Sequence, residues 1–512
     1  MNAEVHETMQ GRRLILTDDC GGISTCPTLV EVERAADALI AARPDSMAID
    51  AAAGDNCCYP SNVGHFYDYD EWAPQGSAGL VKAGHDPLGI VYARLRTAGI
   101  PTLAGFRMND HHGCGWTPWM QAHILWSLGK DTGDRGWRAI GDLRKMDYAV
   151  AGVRERYLAV LEDILTRYEL DGLQLDFGRS APFVSAPKRE NGRLLTQFVR
   201  DARDLVDRRA RTAAGGRAHL GAIVPWDLEF CAREGVDVTT WLREELLDHV
   251  SPGEWYYNDW NLPIHRWAEL TRGTGRALVP MIMGSVSGRS YSGFEEKNVM
   301  LLADNSVLDA PKAQALAETY FDQGAEGINF YNVTCILPGF FTDSSLAVSK
   351  SLRQWLDPDA IAGGSRHYFY ARQLGYCPTE HDDYFSGAPF VRLVLRGVGA
   401  SASLNFRFGT DLEQRQATLC FKTLNAEAAD LTVAVNSAAL DAPRPVTAPD
   451  AKRPHLLLWE FVMGAPPLRR GDNTIAFTSR QTHETAIEVG ELEILVPAVG
   501  ERGGRMQEST PQ

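Results

Sequence analysis

Acidic side chains stand at the ends of several short apolar segments, where they are placed to do chemistry. Asp176 ends the segment DGLQLD, Asp19 ends LILTDD, and Glu254 lies within HVSPGEWYY. Burying an unpaired carboxylate costs on the order of several kcal/mol or forces its protonation, so a purely structural segment has no need of one there. The pattern predicts a polar site built from the ends of these segments.

Asp176 is the strongest of these candidates. Side chains alternate between two faces along a strand, so Asp176 shares a face with Gly172 and Gln174, while two leucines take the other face. If the leucines pack against surrounding helices, Asp176 points to the other side of the sheet, into the mouth of a barrel. We predict a catalytic or substrate-binding role for it. The alternative is a structural carboxylate that only orients Arg107 or Arg179.

Cleavage of a glycosidic bond needs two carboxyl groups, one that donates a proton and one that acts as nucleophile or as base for water. Asp176 supplies one of them. Glu254 is the first choice for the other, because the end of a sixth strand faces the end of a fourth across the mouth of a barrel. Asp110, Asp227 and Glu229 are the competing candidates.

Polar and aromatic residues crowd the same segment ends. Sugar rings present apolar C–H faces on which aromatic rings stack, while amide, imidazole and guanidinium groups hold the hydroxyls. The aromatic segment 54–85 is too long for a simple connector and predicts a lid or a wall of the site. The predicted substrate-binding residues are Asp19, Arg107, Asn109, His111, His112, Arg179, Trp226, Trp255, Tyr256 and Asn332.

The elements that position these residues alternate between strands and helices over about the first two thirds of the chain. Continuous apolar runs fit strands buried on both faces of a parallel sheet, and the stripe at 150–168 repeats at three and four residues, as in an amphipathic helix. Eight such pairs predict a (β/α)₈ TIM barrel. A doubly wound sheet is the alternative, but the turn DDCGG lacks its glycine spacing. The strand segments are 14–19, 46–53, 100–110, 171–177, 219–226, 249–257, 277–285 and 324–332.

The pattern changes near residue 361. Short alternating runs separated by turns replace the helical stripes, which is typical of an antiparallel β-sandwich. We therefore predict a barrel over 1–360, an accessory sandwich over 361–500 and a flexible tail over 501–512.

Composition limits the partners. The net charge of −15 and the pI of about 5.4 argue against nucleic acid, which needs a basic surface. No apolar stretch is long enough for a membrane span, and no leader pattern precedes the first strand, so we expect a cytoplasmic protein. The nine cysteines fit free thiols rather than a zinc site. We expect no cofactor and a glycoside or oligosaccharide substrate, and the sequence leaves open whether the chain forms a homo-oligomer.

Three longer motifs carry a family resemblance. The run LRKMDYAVAGVRERYLAVLEDILTRYELDGLQLDFGR at 143–179 resembles the bacterial family 10-like glycosyl hydrolase barrels, as do CAREGVDVTTWLREELLDHVSP at 231–252 and QGAEGINFYN at 323–332. The resemblance implies a barrel that acts on glycosides, followed by an accessory sandwich. Some relatives have Glu where this chain has Gln174. Gly178 stands where chitinase-type barrels have their acid, which argues against chitinase chemistry.

Two other functions fit the same residues. One is a metal-assisted sugar lyase or isomerase in which His111 or His112 joins Asp18, Asp19 and Asp176 as ligands. The other is a non-catalytic carbohydrate-binding barrel that has lost its acid. Sensitivity to a chelator would indicate the first, and glycan affinity without turnover the second.

Overall fold

The chain divides into two compact units. Unit 1 holds Met1–Trp255, Ile264–Gly284 and Gly324–Arg353, and unit 2 holds Tyr256–Pro263, Ser285–Gln323 and Gln354–Gln512. The boundaries predicted at 360 and 500 stay a prediction. The structure, a computed structural model, describes residues 13–66, 76–109, 116–128, 145–178, 181–185, 188–211, 216–253, 258–284, 308–332, 343–370, 392–409, 412, 415–424, 426, 430–441, 444–445, 456–480 and 486–501.

Unit 1 is built on eight parallel strands. They are β1 Arg13–Asp18, β2 Ser46–Ala53, β3 Thr102–Arg107, β4 Gly172–Asp176, β5 His219–Pro225, β6 His249–Gly253, β7 Ala277–Leu278 with Met281–Met283, and β8 Gly327–Tyr331. Each strand pairs with the next along the chain, and β8 pairs with β1. The seventh strand is interrupted at Pro280, which has no N–H for the ladder. Its first half pairs with β6 and its second half with β8, so the sheet returns on itself.

Helices alternate with these strands, which confirms the predicted (β/α)₈ barrel. The stripe predicted at 150–168 is a helix whose Val153, Tyr157, Val160 and Ile164 are buried. The helices are α1 Gly21–Ser24, α2 Leu29–Ala41, α3 Ala78–Lys82, α4 Pro87–Thr97, α5 Pro118–Ala122, α6 Ala151–Arg167, α7 Lys188–Arg209, α8 Leu228–Glu234, α9 Val238–Arg243, α10 Ile264–Thr271, α11 Ala310–Asp322, α12 Asp343–Trp355 and α13 Pro358–Gly363. Two short strands, Asn56–Cys57 and His65–Phe66, and a 3₁₀ turn, Ile124–Trp126, also lie in unit 1, whereas α11 and α13 lie in unit 2.

Polar side chains from neighbouring strands form a buried layer inside the barrel. The Thr17 hydroxyl donates to Asn329 Oδ1 at 2.9 Å, and Gln174 Nε2 donates to the Thr17 hydroxyl at 3.0 Å. Asn329 Nδ2 donates in turn to the Ser251 hydroxyl at 3.2 Å. Each polar group in this series therefore has a partner in a place that water does not reach.

Two histidines extend the layer toward β5. His219 Nε2 lies 2.7 Å from His249 Nδ1, and His249 Nε2 lies 3.2 Å from Gln174 Oε1. Because Gln174 Oε1 can only accept, His249 donates to it and accepts from His219. Burial lowers the pKa of His219 to about 4 and holds the pKa of His249 well below its usual range. The pair is therefore neutral at pH 7.

Unit 2 contains an antiparallel β-sandwich, as predicted. Its strands are β9 Arg366–Phe369, β10 Arg392–Leu395, β11 Ser401–Phe408, β12 Ala417–Leu424, β13 Leu431–Val435, β14 Ala438–Ala439, β15 Arg444–Pro445, β16 Leu456–Met463, β17 Gly471–Ser479 and β18 Ile487–Val496. One sheet has the order β9-β18-β12-β16-β15, with β10 also pairing with β18, and the other has the order β11-β17-β13-β14. Between the sheets, the Phe421 and Phe477 ring centroids are 5.0 Å apart, and those of Tyr368 and Phe408 are 4.1 Å apart.

The helix α11 packs within unit 2 against the first strand of the sandwich. Glu318 on this helix forms an ion pair with the buried Arg366 on β9 at 3.2 Å and accepts a hydrogen bond from the Tyr368 hydroxyl. A buried guanidinium needs such a partner, because an unpaired charge there would cost several kcal/mol.

The buried histidine pair predicts acid sensitivity. The folded-state pKa of His219 lies below the unfolded value of about 6.5, so the unfolded chain binds the proton more readily. Stability is therefore full above pH 6.5 and is lost as the pH falls toward 4, by on the order of 2 kcal/mol. Urea denaturation between pH 4 and pH 7 measures this loss.

The matched variants are His219→Gln and His85→Gln, since His85 is exposed. We expect His219→Gln to lose less stability on acidification than the unsubstituted protein, and His85→Gln to follow the unsubstituted protein. Equal acid sensitivity in all three would show that the buried pair does not titrate in this range.

Candidate active site

One guanidinium joins the carboxyl ends of four strands. Arg107, at the end of β3, donates from Nε to Asp50 Oδ2 on β2 at 2.8 Å and from Nη2 to Asp19 Oδ2 after β1 at 3.0 Å. The same Nη2 donates to the Tyr331 hydroxyl on β8 at 2.8 Å, and that hydroxyl lies 3.3 Å from Asp50 Oδ2. Arg107 is buried, so these interactions are little screened by water.

Asn332 holds Asp19 in place with two hydrogen bonds. Its Nδ2 donates to Asp19 Oδ2 at 2.8 Å, and its Oδ1 accepts from the Asp19 backbone N–H at 3.0 Å. Asn332 has a φ of 54°, in the left-handed region that Asn tolerates better than most residues. Its backbone N–H donates to the Thr17 carbonyl, so this turn fixes the end of β8 against the end of β1.

Asp50 is the most deeply buried carboxylate that Arg107 contacts, with 4% of its side chain exposed against 23% for Asp19. Its Oδ1 has no hydrogen-bond partner among the described residues. A Cβ at Gly105 would lie 1.9 Å from that oxygen, so only glycine at 105 leaves room for it. Burial raises the pKa of Asp50 to about 6 despite the opposing effect of Arg107.

Asp176 lies beside Arg107 in the sheet, since these two residues are register partners on β4 and β3. It shares the interior face with Gln174, as predicted, and is 2% exposed. The Gly178 N–H donates to its Oδ1 at 2.8 Å. Burial raises the pKa of Tyr331 well above its usual range; Arg107 opposes this, and the charges of Asp50 and Asp176 add to it. Asp176 therefore lies within the electrostatic reach of the Arg107 cluster.

Three other predicted site residues have structural contacts. Asn109 is buried, and its Nδ2 donates to the carbonyls of Met146 and Pro182 at 3.2 and 3.3 Å. The Asp227 carboxylate caps α8 by accepting the Glu229 N–H at 2.8 Å. Trp226 is half-buried, and its carbonyl accepts a hydrogen bond from Trp267 Nε1 at 2.7 Å. Their catalytic or substrate-binding roles stay predictions.

The remaining predicted site residues lie outside the part of the chain that the structure describes. They are Asp110, His111, His112, Arg179, Glu254, Trp255 and Tyr256.

The described part of the segment predicted as a lid or wall is held against α6. The Tyr59 and Ser61 hydroxyls donate to Asp163 Oδ2 at 2.9 and 2.6 Å. Arg156, on the same helix, pairs with the buried Asp55 at 2.8 Å. Residues 55–61 are thereby fixed to the barrel wall beside β2.

Sequence reasoning did not single out Asp50 or Tyr331. The available signal was a single carboxylate in the middle of SMAIDAAA, an otherwise apolar strand. A charge at such a position needs a buried partner, which the sequence does not identify. Tyr331 lies in the run QGAEGINFYN, where no local pattern marks its hydroxyl as a partner for a buried charge.

Among the described residues, no three His, Cys, Asp or Glu side chains are grouped so that they could hold a metal ion. No helix there is both long and apolar enough to cross a bilayer.

Fold and site together define a (β/α)₈ barrel with a buried acid–guanidinium cluster where its parallel strands end. No family model matches the chain, and no curated protein does. The assignment to the family 10-like barrels stays a prediction.

Solved structures with a similar fold include several proteins that act on carbohydrates. An endo-beta-1,4-mannanase from Thermotoga petrophila has a TM-score of 0.44 and 10% identity, over 95% of this chain and 98% of that one. The alpha-L-fucosidase isoenzyme 2 from Paenibacillus thiaminolyticus has a TM-score of 0.44 and 10% identity over 70% of this chain. A maltogenic alpha-amylase from Thermotoga neapolitana has a TM-score of 0.37 and 11% identity, over 90% of this chain and 98% of that one.

The chain spans 51% of the length of that fucosidase. With TM-scores below 0.5, the substrates in these names are properties of those proteins alone.

The Asn332 turn yields a prediction about stability. Asn332→Ala removes both hydrogen bonds to Asp19. It also puts a Cβ-bearing residue without a polar side chain into the left-handed region, and the two effects together should lower the free energy of unfolding by about 2–3 kcal/mol. Asn332→Gly removes the same bonds without the backbone strain, so it should cost about 1 kcal/mol less. Urea denaturation of the two variants separates the contributions. Equal stability of Ala and Gly would contradict a strained turn, and no loss in either would contradict the hydrogen bonds.

Proposed function

We propose that the chain hydrolyses a glycosidic bond in an oligosaccharide or glycoside at the mouth of its barrel. The observation that supports this best is the Arg107 cluster. Asp19 after β1 and Asp50 on β2 are ion-paired with one guanidinium, and Asp176 on β4 is its register partner, at the end of the strands where barrel enzymes place their chemistry. Membership of the family 10-like glycosyl hydrolases is part of this proposal.

Asp176 acts as the nucleophile or as the base for water, and Glu254 donates the proton. The bond between the anomeric carbon and the leaving oxygen breaks, Glu254 protonates that oxygen, and water supplies the new hydroxyl. A separation of about 5 Å between the two carboxyl groups means retention of configuration, and roughly 6.5–9.5 Å means inversion. Asp110 and Asp227 are the substitutes for Glu254.

The hydroxyl groups of the substrate are held by polar residues around the same mouth. Aromatic residues after β6 supply the platform on which a sugar ring stacks. The proposed binding residues are Asp19, Arg107, Asn109, His111, His112, Arg179, Trp226, Trp255, Tyr256 and Asn332.

Substitution of Asp176 tests the function. Asp176→Asn and Asp176→Ala should lower kcat by about 10²–10⁴-fold, because both lose the charge that attacks or activates water. Release of reducing ends from a panel of oligosaccharides and of aryl groups from aryl glycosides measures the rate. Asp37→Asn is the matched control, since Asp37 lies on the surface with 58% of its side chain exposed.

Three results would contradict the proposal. Full activity in Asp176→Ala would remove Asp176 from the reaction. Loss of activity with a chelator, restored by a divalent ion, would favour the metal-assisted lyase or isomerase. Glycan binding without turnover, unchanged in Asp176→Asn, would favour a carbohydrate-binding barrel.

A further inference from the structure

We propose that Asp50 is a positioning residue that holds or releases one proton within the working pH range and acts on the bound substrate through Arg107. This inference rests on the proposed glycoside hydrolysis for its effect on rate. The proton itself is open to a measurement that does not depend on activity.

Arg107 carries one positive charge and is ion-paired with more than one carboxylate. Arg107 is the hydrogen-bond donor to both Asp50 and Asp19, and Asp176 is its register partner on the next strand. Two carboxylates are thus ion-paired with one guanidinium, and a third carboxyl group belongs to its register partner on the neighbouring strand. When like charges share a buried site, one of the groups takes up a proton well above its ordinary pKa.

Burial and hydrogen bonding indicate which carboxyl group of the cluster takes the proton. Asp19 is partly exposed and accepts a hydrogen bond from Asn332, and Asp176 accepts one from the Gly178 N–H. Asp50 is 4% exposed, and its Oδ1 lies against Gly105 without a hydrogen-bond partner among the described residues. Of the two carboxylates that are ion-paired with Arg107, Asp50 therefore has the less compensated desolvation, which agrees with its pKa of about 6.

Two tyrosines near Asp50 stay neutral, so they do not compete with it for the proton. Helix α4 contributes the Tyr92 hydroxyl, which donates to the carbonyl of Ile49 and has a pKa raised well above its usual range by burial, so it stays neutral. Tyr331 is neutral for the same reason. Among the described residues, the charged and titratable groups that act on Asp50 or are acted on by it are Asp19, Tyr92, Arg107 and Tyr331.

The consequence for catalysis follows from the sign of the charge. A glycosidase transition state resembles an oxocarbenium ion and is positively charged. Releasing the proton from Asp50 adds one negative charge to the cluster and leaves less of the Arg107 charge uncompensated. We therefore expect kcat to rise roughly three- to tenfold as the pH increases through about 6, the size of effect that one charge at roughly 7–10 Å produces when the effective dielectric constant is about 40.

Asp50→Asn tests this directly, because it keeps the shape of the side chain and cannot titrate. We expect its kcat to stay at the lower plateau between about pH 5 and pH 7, while Asp37→Asn follows the unsubstituted protein. Tyr331→Phe removes a hydrogen bond that favours the ionised carboxylate, so it should move the inflection to higher pH.

The second readout is stability. The folded-state pKa of Asp50 lies above the unfolded value, so its contribution is full below about pH 3.8 and is lost as the pH rises through about 6. The urea midpoint of the unsubstituted protein should therefore fall over this range relative to that of Asp50→Asn.

The two readouts separate the possible failures. If the Asp50→Asn curves superimpose on those of the unsubstituted protein in both readouts while activity still depends on Asp176, the inference is overturned and the proposed function stands. If the stability difference appears but no glycoside is hydrolysed, the proposed function is overturned and Asp50 remains the group that holds the proton. Should Asp50→Asn fail to fold, an unshifted inflection in Tyr331→Phe overturns the inference.

Discussion

The ion pairs of Arg107 are the interaction on which the rest of the site depends. A buried guanidinium loses its hydration, and this cost is recovered only when well-placed carboxylates and hydrogen-bond acceptors surround it. Asp50, Asp19 and the Tyr331 hydroxyl supply these partners from three different strands. Apolar residues of similar volume would stabilise a barrel at least as well. The cluster is therefore better explained by function than by stability.

The layer beneath the cluster gives it a rigid base. Thr17 and Gln174 lie two residues before Asp19 and Asp176 on β1 and β4, and they are hydrogen-bonded to each other at 3.0 Å. Strand side chains repeat every two residues, so fixing one layer also fixes the direction of the next. The Thr17 backbone carbonyl contributes again by accepting the Asn332 N–H. The carboxylates at the mouth therefore rest on a connected network of partners, in which movement of one group would leave others unpaired.

The fold could be predicted from the sequence because its signals are local. Apolar runs and the helical stripe ending at Tyr168 depend on residues within one element, and alternation along β4 correctly gave the interior direction of Asp176. The partners of Arg107 depend instead on which strands become neighbours and on how far each is staggered. Asp50 reaches Arg107 only because Gly105, opposite it in the register, has no side chain. Such a contact joins residues far apart in the chain, and no local pattern marks it.

Two of the predicted site residues also fix the backbone around the cluster. Asn109 and Asp227 use their polar atoms to hold backbone groups, which gives the loop after β4 and the helix α8 fixed positions. Asp19 is held by Asn332 but keeps part of its carboxylate exposed, so it can still meet a ligand. Asp50 has 4% of its side chain exposed and is ion-paired with Arg107, so under the proposed function it acts on a substrate through charge alone. In that proposal one carboxylate binds the ligand and another adjusts the electrostatic potential, so substrate binding and pH response can change independently.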